Sequence, residues 1–415
     1  MYENIKKQDP LLHEALILED QRQKDQIRLI PSENYTSKAV LEASGSILTN
    51  KYSEGYPGKR YYEGQKHIDT IETLACQRAC ELFNVDHSNV QPYSGSPANL
   101  AAYFALLEPG DTVMGLSLSE GGHLTHGYKL NFSAKFFNSV SYQVDPKTEM
   151  IDYDQIKALA LKHKPKLIIA GYTAYPRQID FKIFREIADL VGAYLLADIS
   201  HINALVISGD HPDPAPYADV ITTTTHKALR GPRGGLIMCK KEHKKAIDKA
   251  IMPGLQGGPH NHITLAKAIA FQEALAPDFK SYANQIAKNA KALSLRLLEK
   301  DFALVTGGTD THLMILNSQK SHNLGGKDFA KALYKAGLVC NYNTVPFDPN
   351  PPMNPSGIRI GTPAITTLGM KEQDMNFIAE VIDLVAKNPN NLELLEKTRL
   401  EVLDFMQGFQ SFFAI

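Results

Sequence analysis

Apolar runs and amphipathic segments alternate along the chain between about residues 67 and 240. Leu167–Ala170 and Ala193–Ala197 are short runs of continuous apolar residues, and each follows a segment whose apolar positions have helical spacing. Such runs are typical of strands in a parallel sheet with helices on both faces. The alternation therefore predicts an α/β domain. The other elements predicted in this region are helices over 67–83, 97–107, 153–163 and 180–191 and a strand over 111–116.

A second pattern begins after about residue 275, where apolar residues again recur at helical spacing. Strands are predicted over 302–306 and 312–316, and Gly337 takes a helix-stop position. Two amphipathic helices are predicted to close the chain over about 371–387 and 391–408. From these changes of pattern we predict an N-terminal arm over 1–50, a large domain over 51–275 and a small C-terminal domain of α/β or α+β type over 276–415.

The composition is that of an ordinary globular protein. Of the 415 residues, 43% are apolar and 21% are charged, and 44 basic residues balance 45 acidic ones. A net charge of −1 provides no broad field for nucleic acid or an anionic membrane, so we expect neither as a partner. No apolar run approaches the ~20 residues of a membrane span, and the N-terminus lacks a signal-like apolar region, which predicts a cytoplasmic protein.

Two pairs of residues have the spacing of metal ligands. Cys76 and Cys80 stand at i,i+4 in a predicted helix, and we interpret them as half-buried reduced thiols rather than a metal or redox pair. His123 and His126 stand at i,i+3 without a carboxylate or cysteine at ligand spacing. The sequence therefore predicts no metal site.

The segment over 220–239 is the strongest candidate for chemistry. A β-branched run predicts a buried strand with Lys227 at its end, and a Gly/Pro turn leads into a second apolar strand. Lysines are seldom buried without a task, and burial together with His226 (if charged), Arg230 and Arg233 would lower the pKa of the amine. A neutral amine can attack an aldehyde and form a Schiff base. A surface lysine on a turn is the competing interpretation.

Two further segments suit the same chemistry. Asp198 ends a predicted strand at the sheet edge where α/β proteins bind ligands, and it could pair with a protonated pyridine nitrogen or merely cap the next turn. Ser94–Ser96 lead into a helix predicted to start at Pro97, where free N–H groups and the helix dipole favour an anion. A plain helix cap is the alternative there. Together with Lys227, these features describe a pyridoxal-phosphate site.

From about residue 27 to at least residue 385, the sequence resembles the serine hydroxymethyltransferase family. The resemblance implies the fold-type-I pyridoxal-phosphate architecture, with a large domain built on a seven-stranded, mostly parallel sheet and a smaller C-terminal α/β domain. It also implies a homodimer with shared active sites and leaves open whether two such dimers form a tetramer. The stretches that carry it are Ser32–Ser37, Leu48–Tyr62, Asn89–Asn99, Glu120–Gly127, Thr222–Gly235, Pro253–Pro259 and Ser356–Ala364.

The activity that the resemblance implies is reversible one-carbon transfer from L-serine to tetrahydrofolate, giving glycine and 5,10-methylenetetrahydrofolate. An alternative with the same cofactor is a folate-independent aldolase acting on 3-hydroxy amino acids. A non-catalytic relative that binds RNA or serves as a scaffold is a second alternative. The near-neutral charge and the presence of Lys227, Asp198 and Arg359 argue against it.

The resemblance also implies roles at the cofactor. Lys227 would form the Schiff base with pyridoxal 5'-phosphate, and His226 would help to control specificity. Asp198 would pair with the pyridine nitrogen, His201 would bind the phenolic oxygen, and His123 would stack on the ring. The residues implied to hold the phosphate are Ser94, Gly95 and Ser96, joined from the second subunit by Tyr52, Gln256, Gly257 and Gly258.

At the substrate, the resemblance implies that Arg359 binds the amino-acid carboxylate, for which a guanidinium offers two parallel donors. Ser32 and Tyr62 would assist there. Glu54 would be the acid/base carboxylate near the serine hydroxyl and the folate. The residues implied to line the folate site are Tyr61, Leu118, Gly122, Leu124, Asn343, Pro351, Pro352 and Met353.

The chain departs from the family's usual pattern around the cofactor. Ser200 stands where Ala is usual, and we expect its hydroxyl to bond to a backbone carbonyl or to nearby Asn203. The other departures are Asn203, Ala204, Ala228 and Thr173. They bear on rate and reaction preference more than on the cofactor.

Overall fold

The computed structural model of the protein describes residues 2–413. Its helices are α1 Glu3–Gln8, α2 Pro10–Asp25, α3 Lys38–Ser44, α4 Lys66–Phe83, α5 Gly95–Leu106, α6 Phe132–Phe136, α7 Tyr153–His163, α8 Phe181–Val191, α9 Asn203–Ser208, α10 Lys244–Lys249, α11 Asn261–Leu275, α12 Pro277–Glu299, α13 Ser318–His322, α14 Gly326–Lys335, α15 Pro363–Thr367, α16 Met375–Lys387 and α17 Leu392–Gln407. Its strands are β1 Ile27–Arg28, β2 Gly55–Tyr56, β3 Lys59–Arg60, β4 His87–Asn89, β5 Thr112–Leu116, β6 Asn138–Tyr142, β7 Leu167–Ala170, β8 Tyr194–Asp198, β9 Val220–Thr224, β10 Gly235–Cys239, β11 Leu313–Leu316, β12 Leu338–Val339, β13 Asn341–Asn343 and β14 Gly357–Gly361.

The largest sheet has seven strands in the order β4-β10-β9-β8-β7-β5-β6. Strands β5 to β9 pair in parallel, whereas β10 is antiparallel to both of its neighbours. Every residue of β7, β9 and β10 is buried, as the continuous apolar and β-branched runs predict. The prediction of an α/β fold with a seven-stranded, mostly parallel sheet is therefore confirmed.

A second, antiparallel sheet has the order β11-β14-β13 and packs in a separate hydrophobic core. Helix α12 serves both cores, because Phe279 and Ile286 pack in the large-sheet core while Leu293 and Leu297 pack in the second one. The predicted boundary near residue 276 falls at the start of this shared helix. The domain bounds stay a prediction.

The first part of the chain packs against its last part. Strand β1 pairs in parallel with β12, and Ile27 and Leu29 are fully buried in the second core. Asn34 then donates to the carbonyl of Lys227 at 3.1 Å and accepts from the Thr367 hydroxyl, 333 positions away, at 2.7 Å. The arm thereby connects the second core to the segment that carries Lys227.

Two predictions about elements are wrong, and an edge strand of the large sheet was not predicted. No strand covers 302–306: Leu304 makes one isolated bridge to Leu316, and the left-handed backbone of Thr306 (φ 60°) turns the chain directly afterwards. Strand β6, Asn138–Tyr142, escaped prediction because an edge strand with polar residues lacks an apolar run. Lys227 lies in the turn after β9 rather than at the strand's end. Among residues 2–413, no helix has the length and apolar character needed to cross a membrane.

Candidate active site

One pocket of about 310 Å³ lies where β8 and β9 end and α5 begins. It gathers residues that the sequence places far apart, and most of those predicted to touch the cofactor line it. The predicted residues in its wall are Ser32, Ser94, Gly95, Ser96, His123, Asp198, His201, His226, Lys227 and Arg359.

Lys227 is buried, and its turn is fixed on both sides. The Thr225 hydroxyl donates to the Pro232 carbonyl at 2.7 Å, and Asn34 holds the carbonyl of Lys227 itself. The amine has no hydrogen-bond partner among the described residues. Burial, opposed by Asp198 and aided by the positive charge of Arg359, lowers the pKa of Lys227 to about 8.

The cations beside Lys227 differ from those expected from sequence. Arg230 turns away, with its guanidinium 3.9 Å from the centre of the Tyr282 ring. Burial and the charge of Arg233 lower the pKa of His226 to about 3, so His226 is neutral at pH 7. Arg233 acts on Lys227 as predicted, and Arg359 takes the place expected for Arg230.

The carboxylate of Asp198 accepts four hydrogen bonds. Oδ2 accepts from Asn99 at 2.9 Å and from His126 Nε2 at 3.0 Å. Oδ1 accepts from the backbone N–H of Ser200 at 3.1 Å and from its hydroxyl at 2.6 Å. Burial raises the pKa of Asp198, but the hydrogen bonds from His126 and Ser200 and the nearby imidazoles of His126 and His123 together outweigh it and hold this pKa well below the usual range. Asp198 is therefore an anion at the end of β8.

Two expectations around Asp198 are wrong. The Ser200 hydroxyl bonds neither to a backbone carbonyl nor to Asn203, because the Asp198 carboxylate is the nearer and stronger acceptor. Asn203 instead donates to the Thr223 hydroxyl and the Thr224 carbonyl. A carboxylate also lies beside the paired histidines, because the fold brings Asp198 to His126 although no acidic residue stands at ligand spacing in the sequence.

His123, His126 and Asp198 offer ligand atoms within 4.8 Å of one another. Nε2 of His126 is already hydrogen-bonded to Asp198, and Nδ1 of His123 accepts from the Thr125 N–H at 3.2 Å. We interpret this group as a polar network that holds Asp198. His126 is not among the site residues that the sequence predicts, because its only signal is the i,i+3 spacing from His123.

Two further histidines of the pocket, His123 and His201, are also neutral. Burial lowers the pKa of His123 to about 4 and that of His201 well below its usual value. His201 Nδ1 shares a 3.1 Å hydrogen bond with His312 Nε2, whose own pKa burial lowers to about 3. No sequence signal identified His312, because nothing in its local segment points to a pocket.

The start of α5 forms a small cup beside Lys227. A Cβ on Gly95 would lie 2.8 Å from Cγ2 of Thr224, so only glycine leaves this space open. The Ser94 side chain does not cap its own helix, as far as the described residues show. Behind the cup, Gln256 accepts from the Tyr93 N–H at 3.2 Å and donates to the Gln91 carbonyl at 2.8 Å. We call residues 93–96 the phosphate cup, because the sequence predicts a phosphate at Ser94–Ser96.

Arg359 lies on β14 at the other end of the pocket. Its Nη1 donates to the Thr173 carbonyl at 2.7 Å and its Nε to Asn341 at 3.2 Å. Burial lowers the pKa of Arg359 to about 10, which leaves it fully charged at pH 7. Within the described part of the chain it pairs with no carboxylate, so the pocket holds a buried guanidinium that can receive one.

A second group of predicted residues lies together outside this pocket. Tyr62 donates to Glu54 Oε2 at 3.1 Å, and the Tyr52 hydroxyl lies 3.4 Å from Glu54 Oε1. A Cβ on Gly257 would be 2.9 Å from Glu54 Oε1, and one on Gly258 would be 2.8 Å from the Tyr52 ring. We call Tyr52, Glu54, Tyr62, Gly257 and Gly258 the outer cluster.

The residues predicted to line a folate site belong to three exposed loops. The loop after Asn343 contacts the one around Leu118, since the Thr344 hydroxyl donates to the Ser119 carbonyl at 3.3 Å. The neighbouring Gly122 is buried. Several side chains point to solvent: Leu124 is 46% exposed, Met353 68% and Tyr61 72%, and Pro351 and Pro352 are exposed as well. None of these residues lines the pocket around Lys227.

Comparisons with known proteins agree with this geometry. The family model described as serine hydroxymethyltransferase matches residues 5–382. A protein named serine hydroxymethyltransferase from Sorangium cellulosum (strain So ce56) is 55% identical over 401 residues, which cover 97% of this chain and 95% of that protein. The match thus extends over the large sheet, the pocket and nearly all of the second core. The chain belongs to the serine hydroxymethyltransferase family.

Proposed function

We propose that the pocket around Lys227 converts L-serine and tetrahydrofolate into glycine and 5,10-methylenetetrahydrofolate, with pyridoxal 5'-phosphate as the cofactor. The observation that carries the proposal is a buried amine without a hydrogen-bond partner among the described residues, placed in one pocket with an ionised Asp198 and a charged Arg359. The amine of Lys227 can bind the aldehyde of the cofactor, Asp198 can pair with its protonated pyridine nitrogen, and Arg359 can bind the carboxylate of serine.

The residues fit this cofactor. The phosphate cup offers backbone N–H groups, two hydroxyls and the positive end of a 12-residue helix to an anion. Asp198, held ionised by its four hydrogen bonds, can keep a pyridine nitrogen protonated. When bound, pyridoxal phosphate supplies an electron sink for a bond broken at the α-carbon of an amino acid. Neutral His123 and His201 can contact the ring without competing for the charge of Asp198.

The substrate end is set by Arg359 and Ser32. Because the guanidinium is fixed by Thr173 and Asn341 on one side, its remaining N–H groups can bind a carboxylate bidentately. Ser32, from the arm, lines the same pocket. An amino acid held there would present its α-carbon towards Lys227.

The outer cluster supplies what the pocket lacks, namely a carboxylate for proton transfer at the serine hydroxyl. In our proposal Glu54 does this work in the pocket of a second subunit, with Tyr52, Gly257 and Gly258 contacting that subunit's cofactor phosphate. Its separation from Lys227 within one chain supports this arrangement. Tyr61 and the loops that carry Leu118, Leu124 and Asn343 are proposed to receive the folate.

The test combines a label with an assay. Borohydride treatment of the cofactor-loaded protein, followed by peptide mapping, should mark Lys227, and Lys227→Ala should lose serine turnover while the exposed Lys182→Ala keeps it. Serine consumption should require tetrahydrofolate. A label on another lysine would refute the cofactor assignment, and equal consumption with and without tetrahydrofolate would refute the folate part.

A further inference from the structure

Lys267, on α11, is a buried charge that the proposed chemistry does not use. Its side chain is 2% exposed, and its Nζ donates to the carbonyl oxygens of Val90 at 2.7 Å, Pro92 at 3.0 Å and Gly235 at 2.8 Å. It forms no ion pair with any described residue. Buried ammonium groups are normally paired with an anion, because losing water costs several kcal/mol per ion.

The carboxylate that acts on Lys267 is already engaged elsewhere. Glu72 accepts from Arg60 at 2.7 Å and from Gln91 at 2.8 Å. Burial lowers the pKa of Lys267 to about 7, against the opposing effects of Cys76 and Glu72. At neutral pH Lys267 is therefore only about half protonated. Three carbonyl oxygens hold its proton, and the protonated form lacks a close counter-ion that a phosphate at the cup could supply.

The three acceptors of Lys267 belong to two segments next to the phosphate cup. Val90 and Pro92 lead directly into it, and the Gly235 N–H donates to the Pro92 carbonyl at 3.1 Å. A Cβ on Gly235 would lie 2.3 Å from the Ser94 carbonyl oxygen and 3.2 Å from the Gly95 nitrogen. Lys267 thus binds the backbone that leads into the cup and the glycine that packs against it, and it is not among the residues that line the pocket.

We infer that Lys267 is a positioning residue for the cofactor phosphate, which is the counter-ion its buried charge lacks. Its three hydrogen bonds fix the backbone that leads into the cup, and its charge attracts the phosphate through that backbone. The inference rests on the proposed function, since it needs a phosphorylated ligand at the cup. If Lys267 has this role, replacing it weakens the binding of a ligand only when that ligand carries the phosphate, whereas a purely structural role would affect ligands with and without it.

The test compares pyridoxal 5'-phosphate with pyridoxal, which lacks the phosphate. Lys267→Met and Lys267→Gln are prepared without cofactor, and the affinity for each compound is measured by absorbance titration. We expect both variants to lose about tenfold or more in affinity for the phosphate ester and to stay within about twofold for pyridoxal. Lys267→Gln keeps N–H donors but removes the charge. If Lys267→Met does not fold, the affinities of Lys267→Gln for the two compounds test the inference.

The exposed Lys280→Met, on neighbouring α12, is the matched control and should change neither affinity. Equal losses for both compounds would overturn the inference and leave Lys267 a structural residue, as would unchanged affinity in both variants. A wild-type protein that fails to attach the cofactor at Lys227 would contradict the proposed function instead. The two failures are therefore distinguishable.

Discussion

The amine of Lys227 shows how a few neighbours can set the reactivity of one residue. Burial acts against its charge, Asp198 favours the charge, and Arg359 and Arg233 oppose it. The balance leaves a substantial neutral fraction near physiological pH. The same positive charges that lower this pKa are available to bind anions, so one arrangement serves attack on an aldehyde and capture of a carboxylate.

This balance predicts a pH profile. Attachment of pyridoxal phosphate to the cofactor-free protein should become faster as the pH rises through about 8, because only the neutral form of Lys227 attacks. Arg359→Leu removes a charge that lowers the pKa and should move the midpoint upward, whereas the exposed Arg296→Leu should not. Stopped-flow absorbance measures the rate. A wild-type midpoint near 10.5, the ordinary value for lysine, would contradict the prediction.

Ser200 provides a second prediction at this scale. Ser200→Ala removes the 2.6 Å hydrogen bond to Asp198 but leaves the donors of Asn99, His126 and the backbone in place. We expect the free energy of unfolding to fall by about 1–2 kcal/mol and serine turnover to change by less than about threefold. Denaturant titration measures the free energy of unfolding, and an assay of serine consumption measures turnover. A tenfold loss of turnover would make Ser200 a determinant of the chemistry.

Ser208→Ala is a matched control for that experiment. The Ser208 hydroxyl also donates to a carboxylate at 2.6 Å, that of Asp210, but outside the pocket. Ser208→Ala should lower the free energy of unfolding less than Ser200→Ala does, because the Asp210 carboxylate is closer to solvent than that of Asp198.

At the scale of elements, the close contact between the start of β10 and the start of α5 fixes the backbone of the phosphate cup. Gly235→Ala would place a Cβ against the carbonyl group of Ser94 and the nitrogen of Gly95, and these backbone atoms cannot yield as a flexible side chain can. We expect at least about tenfold weaker binding of pyridoxal phosphate with the large sheet intact. Absorbance titration measures the affinity for pyridoxal phosphate, and circular dichroism shows whether the fold is intact. Gly45→Ala, where the nearest atom is 3.7 Å away, is the control and should bind normally.

The elements also show what the sequence can and cannot predict. Strand β7 was predicted at its observed bounds, because a run of apolar residues between turns has few other uses. The prediction of a strand over 302–306 was wrong, because the left-handed backbone of Thr306 turns the chain there and outweighs the local β propensity. Lys227, Asp198 and the phosphate cup were identifiable by their positions next to predicted elements. His312 and Lys267 were not, because their surroundings come from segments distant in sequence.

At the scale of the whole molecule, the division between the pocket and the outer cluster predicts an active site built from two subunits. Lys227→Ala and Glu54→Gln subunits should each be nearly inactive alone, with Glu54→Gln reduced by ~10²–10⁴-fold. A co-expressed dimer with one subunit of each kind has one site with both substitutions and one with neither. We expect it to regain about half of the wild-type activity per dimer.

The measurement uses two affinity tags to isolate the mixed dimer, with a mixed dimer of Lys227→Ala and wild type as the reference. If Lys227 and Glu54 act within one subunit, each site of the mixed dimer carries one substitution. No activity would then return. Recovery in that dimer therefore distinguishes a shared site from a self-contained one.

The pairing of the arm with the end of the chain has a consequence for folding during synthesis. Asn34 meets Thr367 only after the ribosome has added 333 further residues, which takes about 20–70 s at ordinary rates of translation. Until synthesis passes β12, Ile27 and Leu29 have neither their paired strand nor a complete core to enter, and the carbonyl of Lys227 lacks its partner for as long as the arm is undocked. The nascent chain should therefore expose an apolar segment that chaperones can bind, and proteolysis of stalled chains should cut near residues 27–36 until synthesis passes β12.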